Sequence, residues 1–233
     1  MTESIDFETY LYLSSNKFEI FLFDKKNIKK LFQETLKTEN NFDFIEFVEL
    51  NKFLNKNIFK IEKLIGTFIK NIFLIIDKED NFIIKLSNIK KIENKANKES
   101  LKNTLIKLKN LINENYKNQT IMHILLNNHL VYDNYETSLT EKEDTNPQYL
   151  EVTFITLSND LIINLNNVLQ KYQIKILKFV DGKYIKNYFK DDEVELCLAT
   201  HKLINGFNNN EVIIVPKNTE NRGFFERFFN IFS

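Results

Sequence analysis

Between Leu150 and Val180 the apolar residues change their spacing twice, and this double change constrains the fold more than any other feature of the chain. Leu150–Leu157 (LEVTFITL) alternates with the period of two that a strand requires. Leu161, Ile162, Leu165, Val168, Leu169 and Tyr172 then recur at helical spacing, with Ser158 placed to cap the helix. Ile174–Val180 returns to an extended pattern. A strand, a helix and a strand in immediate succession must bury the helix stripe against a sheet. The class is therefore α/β (α+β), and the segment reads as a βαβ-like element, one layer of an α/β sandwich.

The remaining segments repeat this alternation. TYLYLSSNKFEIFLFD reads as two strands about a tight Ser14-Ser15-Asn16 turn, and Phe18–Phe23 is so continuously apolar that both of its faces should be covered. FDFIEFVEL at 42–50 is expected to form a third strand. Leu50, Phe53, Leu54, Ile58, Ile61, Leu64 and Ile65 predict a helix, with Lys52, Lys56, Lys60 and Lys63 as its solvated face. Asn71–Asp77 and Asn81–Leu86 form a strand pair, and Asn97–Asn113 is a helix with Leu101, Leu105, Leu108 and Ile112 on one stripe. Thr120–Leu126 and Leu130–Tyr135 are further strands, and Thr137–Gln148 is an exposed loop. A short helix at Gly182–Phe189, a strand at Val212–Val215 and a polar linker from Pro216 to Arg222 follow.

Composition narrows the function classes. Lys+Arg and Asp+Glu balance at 32 each, so no global field draws in nucleic acid. The single Cys197 rules out an intramolecular disulfide framework and, in the run VELCLA, reads as a core residue rather than a nucleophile. The opening MTESIDFETY carries neither the basic nor the apolar region of a signal peptide, so the cytosol or the cytosolic face of a membrane is expected. No window reaches the roughly 20 apolar residues of a membrane-spanning helix. With four glycines scattered along the chain there is no Gly-rich phosphate cradle. His123, His129 and His201 lack metal-ligand spacing with any Cys or carboxylate, and the acidic residues are scattered rather than paired. No catalytic, cofactor or metal residues emerge. A small enzyme with a pocket at Thr137–Gln148 stays open as a minor alternative.

Several phrases taken in order resemble the bacterial cell-division protein FtsA, an actin-like family that tethers FtsZ rings to the membrane. Leu11-Tyr12-Leu13-Ser14-Ser15-Asn16-Lys17 followed by FEIFLF is similar to the family's first strand, I-D-I-G-S-S-K. TIMHILLNNHLVYDN, with His123 at the matching histidine, is similar to ILHVIPQEYILDG. Leu150–Ser158 is similar to L-E-V-x-V-H-I-I-T-G-S, and ELCLATHKLINGF is similar to the closing helix FATAxGLLLYG. The resemblance implies a partial actin-like (ribonuclease H-like) sheet at 1–70, an inserted α/β sandwich subdomain at 71–180, a return segment at 181–215, a linker at 216–222 and a C-terminal amphipathic helix at 223–233. The chain departs from the family where the chemistry lies. Tyr12 stands at the acidic position, Ser14 replaces the glycine of the phosphate turn, and the second phosphate loop is missing. Neither ATP binding nor hydrolysis is expected, so the implied role is a non-enzymatic adaptor without a cofactor. A pilus-assembly type of actin-like protein, docking a membrane protein's cytosolic peptide, is the alternative.

The last stretch, GFFERFFNIFS, carries the membrane expectation. As a helix it would gather Phe224, Phe225, Phe228, Phe229, Ile231 and Phe232 on one face, with Arg222 and Arg227 available to anionic lipid. The competing reading docks the same helix on the protein's own core. The expected partners are FtsZ-type or other divisome proteins, an anionic membrane surface and further copies of the chain. The expected location is the cytosolic side of the inner membrane, as a peripheral protein.

Overall fold

A computed structural model of the chain describes residues 6–38, 45–78, 81–90, 98–128, 148–190 and 194–213. In chain order the elements are β1 (Phe7–Ser14), β2 (Lys17–Asp24), β3 (Lys29–Lys37), α1 (Phe47–Ile65), β4 (Asn71–Asp77), β5 (Phe82–Lys90), α2 (Lys98–Asn115), β6 (Gln119–Asn128), β7 (Gln148–Ser158), α3 (Asn159–Gln170), β8 (Lys175–Asp181), α4 (Gly182–Tyr188) and α5 (Leu196–Ile204). They divide into two compact units. The first comprises Met1–Asn81 with Leu157–Phe207, and the second Phe82–Thr156 with Asn208–Ser233. The class is α/β.

The first unit is built on a five-stranded sheet of order β3-β2-β1-β4-β8. The Ser15-Asn16 turn folds β2 antiparallel onto β1, with Ser14 opposite Lys17, and β3 continues antiparallel on β2. On the other side of β1, β4 and β8 run parallel to it. The unbroken apolar run of β2 is explained by cover on both faces. Phe18 meets Phe53 of α1 at 6.3 Å, whereas Phe23 lies 4.9 Å from the His201 ring of α5. Positions 18 and 23 point to opposite faces of a strand, so α1 and α5 lie on opposite sides of the sheet. Glu19, a charge buried in the middle of β2, is offset by Lys17 at 2.8 Å and the Thr35 hydroxyl at 2.9 Å.

Helix α1 starts at Phe47, so the expected strand over 42–50 is not formed in its described part; the third strand is β3 instead. The aromatic residues of that stretch suit either state by propensity, and the helix follows from the stripe of Leu50, Phe53, Leu54, Ile58 and Ile61, which is buried on the sheet. Gly66 ends the helix with φ of 70°, donating its N–H to the Glu62 carbonyl at 2.8 Å.

In the second unit the sheet order is β5-β7-β6. Leu105 and Ile112 of α2 form one core with Ile84, Ile124, Leu126, Val152 and Phe154. Residues 208–212 rejoin this unit as a short extra edge. Leu126 donates to the Asn210 carbonyl at 2.9 Å and Val212 to the Ile124 carbonyl at 2.8 Å. In the described part of the expected strand at 212–215, residues 212–213, no strand forms; the bridge to β6 falls one residue earlier, between Leu125 and Glu211.

Three expectations change with this topology. β4 and β5, expected to pair with each other, lie in different sheets. β7, α3 and β8 follow one another as read, and the Ser158 hydroxyl faces the Leu161 N–H at 3.5 Å, but β7 and β8 belong to different sheets. They are therefore not a βαβ unit. The inserted unit is correspondingly shorter than 71–180, because β4 and β8 complete the first sheet and α3 belongs to the first unit. Local periodicity identifies a strand but not its partner, and β8 pairs with a strand about a hundred residues upstream. The expected strand at Leu130–Tyr135, the linker at 216–222 and the aromatic helix at 223–233 lie outside the described residues.

Candidate functional site

In open sheets with parallel strands, ligands collect at the carboxyl ends of those strands. Here the ends of β1, β4 and β8 are Ser14, Asp77 and Asp181, and the pairing sets Ser14 beside Asp77 and Ile76 beside Asp181. Three polar side chains thus stand in a row along one edge of an apolar sheet. Each is largely withdrawn from water, with Asp181 3% exposed and the Asp77 side chain 12% exposed.

Such groups need partners, and in each case the protein supplies them. The Tyr12 phenol and the Lys186 ammonium both donate to Asp77 Oδ2. Lys186 Nζ also lies 3.3 Å from the phenol oxygen, which closes a triangle among β1, β4 and α4. A second ammonium, Lys17, sits 4.9 Å from the centre of the Tyr12 ring. Asp181 caps α4 by accepting from the Tyr184 N–H at 2.6 Å, and it also accepts from the Asn81 amide. The Ser14 hydroxyl lies within reach of Asn16 Oδ1 at 2.9 Å and the Lys17 carbonyl at 3.1 Å, so it serves the hairpin turn.

The electrostatics favour a closed arrangement. Burial, then the hydrogen bond to Asp77, pushes the Tyr12 phenol up to about 12, so it remains a neutral donor. Burial alone would lower the Lys186 ammonium, but the Asp77 hydrogen bond and the Tyr12 phenol hold it above its ordinary value. Lys186 acts as a built-in counter-cation for Asp77. Gly182, first residue of α4, lets the helix approach this point; a Cβ there would stand 2.6 Å from Asp77 Cβ and 3.0 Å from its Cα.

The fit to a magnesium-bound nucleotide is poor. A metal at this edge needs a carboxylate free to take the ion or its water, yet one Asp77 oxygen already carries a phenol and an ammonium, and Asp181 is spent on a helix cap. Among the described residues no group of three or more His, Cys, Asp or Glu could hold a metal ion.

Of the residues singled out by sequence, Tyr12 and Ser14 fall in this edge. Asp77, Asp181, Gly182 and Lys186 were not anticipated. A signal existed: the apolar runs EIFLFD, NIFLIID and ILKFVD each end in Asp. Only topology separates them, because β2 runs antiparallel and carries Asp24 to the opposite edge, where it accepts from the Lys26 and Asn27 N–H groups at 2.9 and 3.0 Å. His123 is buried in the second unit with Nδ1 2.8 Å from Glu211 Oε1, which pins residues 208–212 to β6. His201 meets Glu8 at 2.7 Å, and Cys197 is a buried thiol pushed up by burial, as a core residue should be. The proposed membrane residues Arg222, Phe224, Phe225, Arg227, Phe228, Phe229, Ile231 and Phe232 lie outside the described residues.

The chain matches no protein-family model and no curated protein sequence. Among solved structures it is similar to a Bacteroides thetaiotaomicron protein of actin-like ATPase fold and unknown function, at 14% identity and TM-score 0.39, over 83% of this chain and 59% of that one. It is also similar to a chain of the PilM–PilN type IV pilus biogenesis complex, at 8% identity and TM-score 0.48, over 78% and 49%. A third similar structure is the cytoplasmic domain of EpsL, an inner membrane component of the Vibrio cholerae type II secretion system, at 9% identity and TM-score 0.37, over 76% and 57%. The matches cover 49–59% of the length of these structures. No described helix is long and apolar enough to cross a membrane.

Proposed function

We propose that this chain is a non-catalytic, actin-like docking module that holds the cytosolic peptide of a membrane protein. The observation that carries the reading is the internal closure of the sheet edge by Tyr12, Asp77 and Lys186. Groups that would serve a phosphate or its metal are spent on one another, so binding elsewhere becomes the working function. The second unit offers a suitable place. β5 ends its sheet among the described residues and exposes Phe82 (45%), Ile83 (53%) and Lys85. An extended peptide could add to that edge through backbone hydrogen bonds, with apolar side chains against Phe82 and Ile83.

A second reading, a tether for FtsZ-type division proteins at the inner membrane, is favoured by the aromatic sequence at Gly223–Ser233 and the order of FtsA-like phrases. Co-sedimentation with FtsZ filaments separates the two, since pelleting supports the tether and its absence leaves the peptide module. The non-catalytic core of both readings is tested by melting the protein with magnesium and ATP. A ligand at a hundred times its dissociation constant adds about 2.7 kcal/mol, or roughly 5–11 °C for a chain of this size. No shift is expected at millimolar nucleotide, and a shift of that size would overturn the reading.

A further inference from the structure

We infer that the outward face of α1 is a contact surface for an anionic lipid membrane. The helix buries Leu50, Phe53, Leu54, Asn57, Ile58 and Ile61 on the sheet, which satisfies its need for a core. On the other side it nevertheless presents Phe59 at 70% exposure and Val48 at 61%, and Phe68 follows just past its end at 77%. Lys52, Lys56, Lys60 and Lys63 stand exposed among them. At about 100° per residue, Val48, Lys52, Asn55, Lys56, Phe59 and Lys63 fall within one stripe roughly 100° wide, opposite the buried face.

Exposed lysines alone would be an ordinary solvated face, and one exposed phenylalanine would call for no explanation. The combination is different. Phe53 and Phe59 belong to the same helix, yet one is 6% exposed and the other 70%. The acidic groups nearby leave the stripe basic. Glu34 of β3 takes Lys60 at 2.7 Å and its carboxyl is held below its ordinary value chiefly by that contact. Glu62 accepts from the Ile69 N–H at 3.1 Å, and Glu49 lies in the first turn. Lys52, Lys56 and Lys63 share the exposed stripe with Phe59.

Charge complementarity selects the occupant. Rings standing singly on a convex helix, flanked by long flexible ammonium groups, match the boundary of a bilayer, where rings enter between headgroups and lysines reach anionic phosphates. A folded acidic protein would need carboxylates fixed opposite each lysine and a pocket for each ring. Headgroups that diffuse laterally meet the scattered lysines without such matching. The inference rests on α1 alone and stands apart from the peptide-docking reading.

The chain contains no tryptophan, so Phe59→Trp in the full-length protein creates a single reporter on this stripe. Leu177→Trp, at a residue 50% exposed on β8, serves as the control. On vesicles of phosphatidylcholine with about a third phosphatidylserine, the emission of the Phe59→Trp variant should shift to the blue, and the shift should fade in high salt. On phosphatidylcholine alone that emission should stay unchanged, and the Leu177→Trp variant should not shift on either vesicle. Adding Lys52→Glu, Lys56→Glu and Lys63→Glu together should weaken partitioning by at least about tenfold. Should that charge-reversed variant fail to fold by circular dichroism, the salt dependence of the Phe59→Trp signal carries the same test. An unshifted Phe59→Trp variant on anionic vesicles overturns the proposal. So does a shift with soluble polyglutamate but not with vesicles, which would assign the face to an acidic protein. An equal shift in the Leu177→Trp control overturns it as well.

Discussion

Removing the Asp77 carboxylate is the sharpest perturbation of the closed sheet edge. Asp77→Ala takes away the acceptor of two donors whose surroundings differ. Tyr12 is 3% exposed, so its phenol proton is left without a partner in a site that water scarcely reaches. An orphaned buried donor costs about 1–3 kcal/mol. The Lys186 side chain is 56% exposed and turns to solvent, so its share is about 0–1 kcal/mol. The variant should therefore melt roughly 2–16 °C lower, at about 2–4 °C per kcal/mol. Tyr12→Phe removes donor and demand together and should cost about 0.5–1.5 kcal/mol; Lys186→Met should cost less than about 1 kcal/mol. The discriminating measurement is a double-mutant cycle by chemical unfolding. On the Asp77→Ala background, Tyr12→Phe should be nearly neutral or stabilising, because it deletes the orphan. If Tyr12→Phe costs as much there as in the parent, or if Lys186→Met exceeds Asp77→Ala, the buried phenol is not what the carboxylate serves.

Gly182→Ala should destabilise by about 1–3 kcal/mol despite alanine's better helix propensity, since the new Cβ would press on the backbone side of Asp77 at 2.6–3.0 Å; thermal melting checks this, and a neutral result would mean that α4 can shift away freely. Alkaline pH should weaken the fold through Tyr12. Its phenol ionises near its ordinary value of 10 when unfolded and at about 12 when folded, so the stabilisation is complete below pH 10 and is lost between pH 10 and 12. The two-unit gap amounts to about 2.7 kcal/mol. Lys186, also raised, and Tyr10, raised by burial and Glu8, act in the same direction. Denaturant titrations from about pH 9 to 12 should show Tyr12→Phe losing less stability than the parent, and equal losses would refute the assignment.

Much of this protein was legible before any tertiary contact was known. Period two in TYLYL, FEIFLF and LEVTFITL, and period 3.6 in the stretches that became α1, α2 and α3, fixed the α/β class, because burying such stripes requires sheet against helix. Ser158 marked a helix start, and Cys197 was legible as core. Tyr12 and Ser14 were singled out by the sequence, and both fall at the closed sheet edge. Propensity could not choose between strand and helix around Phe47, nor reveal β3, whose exposed, lysine-bearing pattern is that of a sheet edge. Which strands are neighbours was settled by the three-dimensional fold. It sent β7 and β8 to different sheets, and it brought Tyr12, Asp77 and Lys186 into one hydrogen-bonded triangle from positions as many as 174 residues apart. The physical reason is that periodicity records which side of an element is buried, a local property, whereas strand pairing and the meeting of strand ends depend on contacts between segments remote in the chain. Three apolar strands ending in aspartate look alike in sequence; the direction each runs in the sheet determines which carboxylates share an edge.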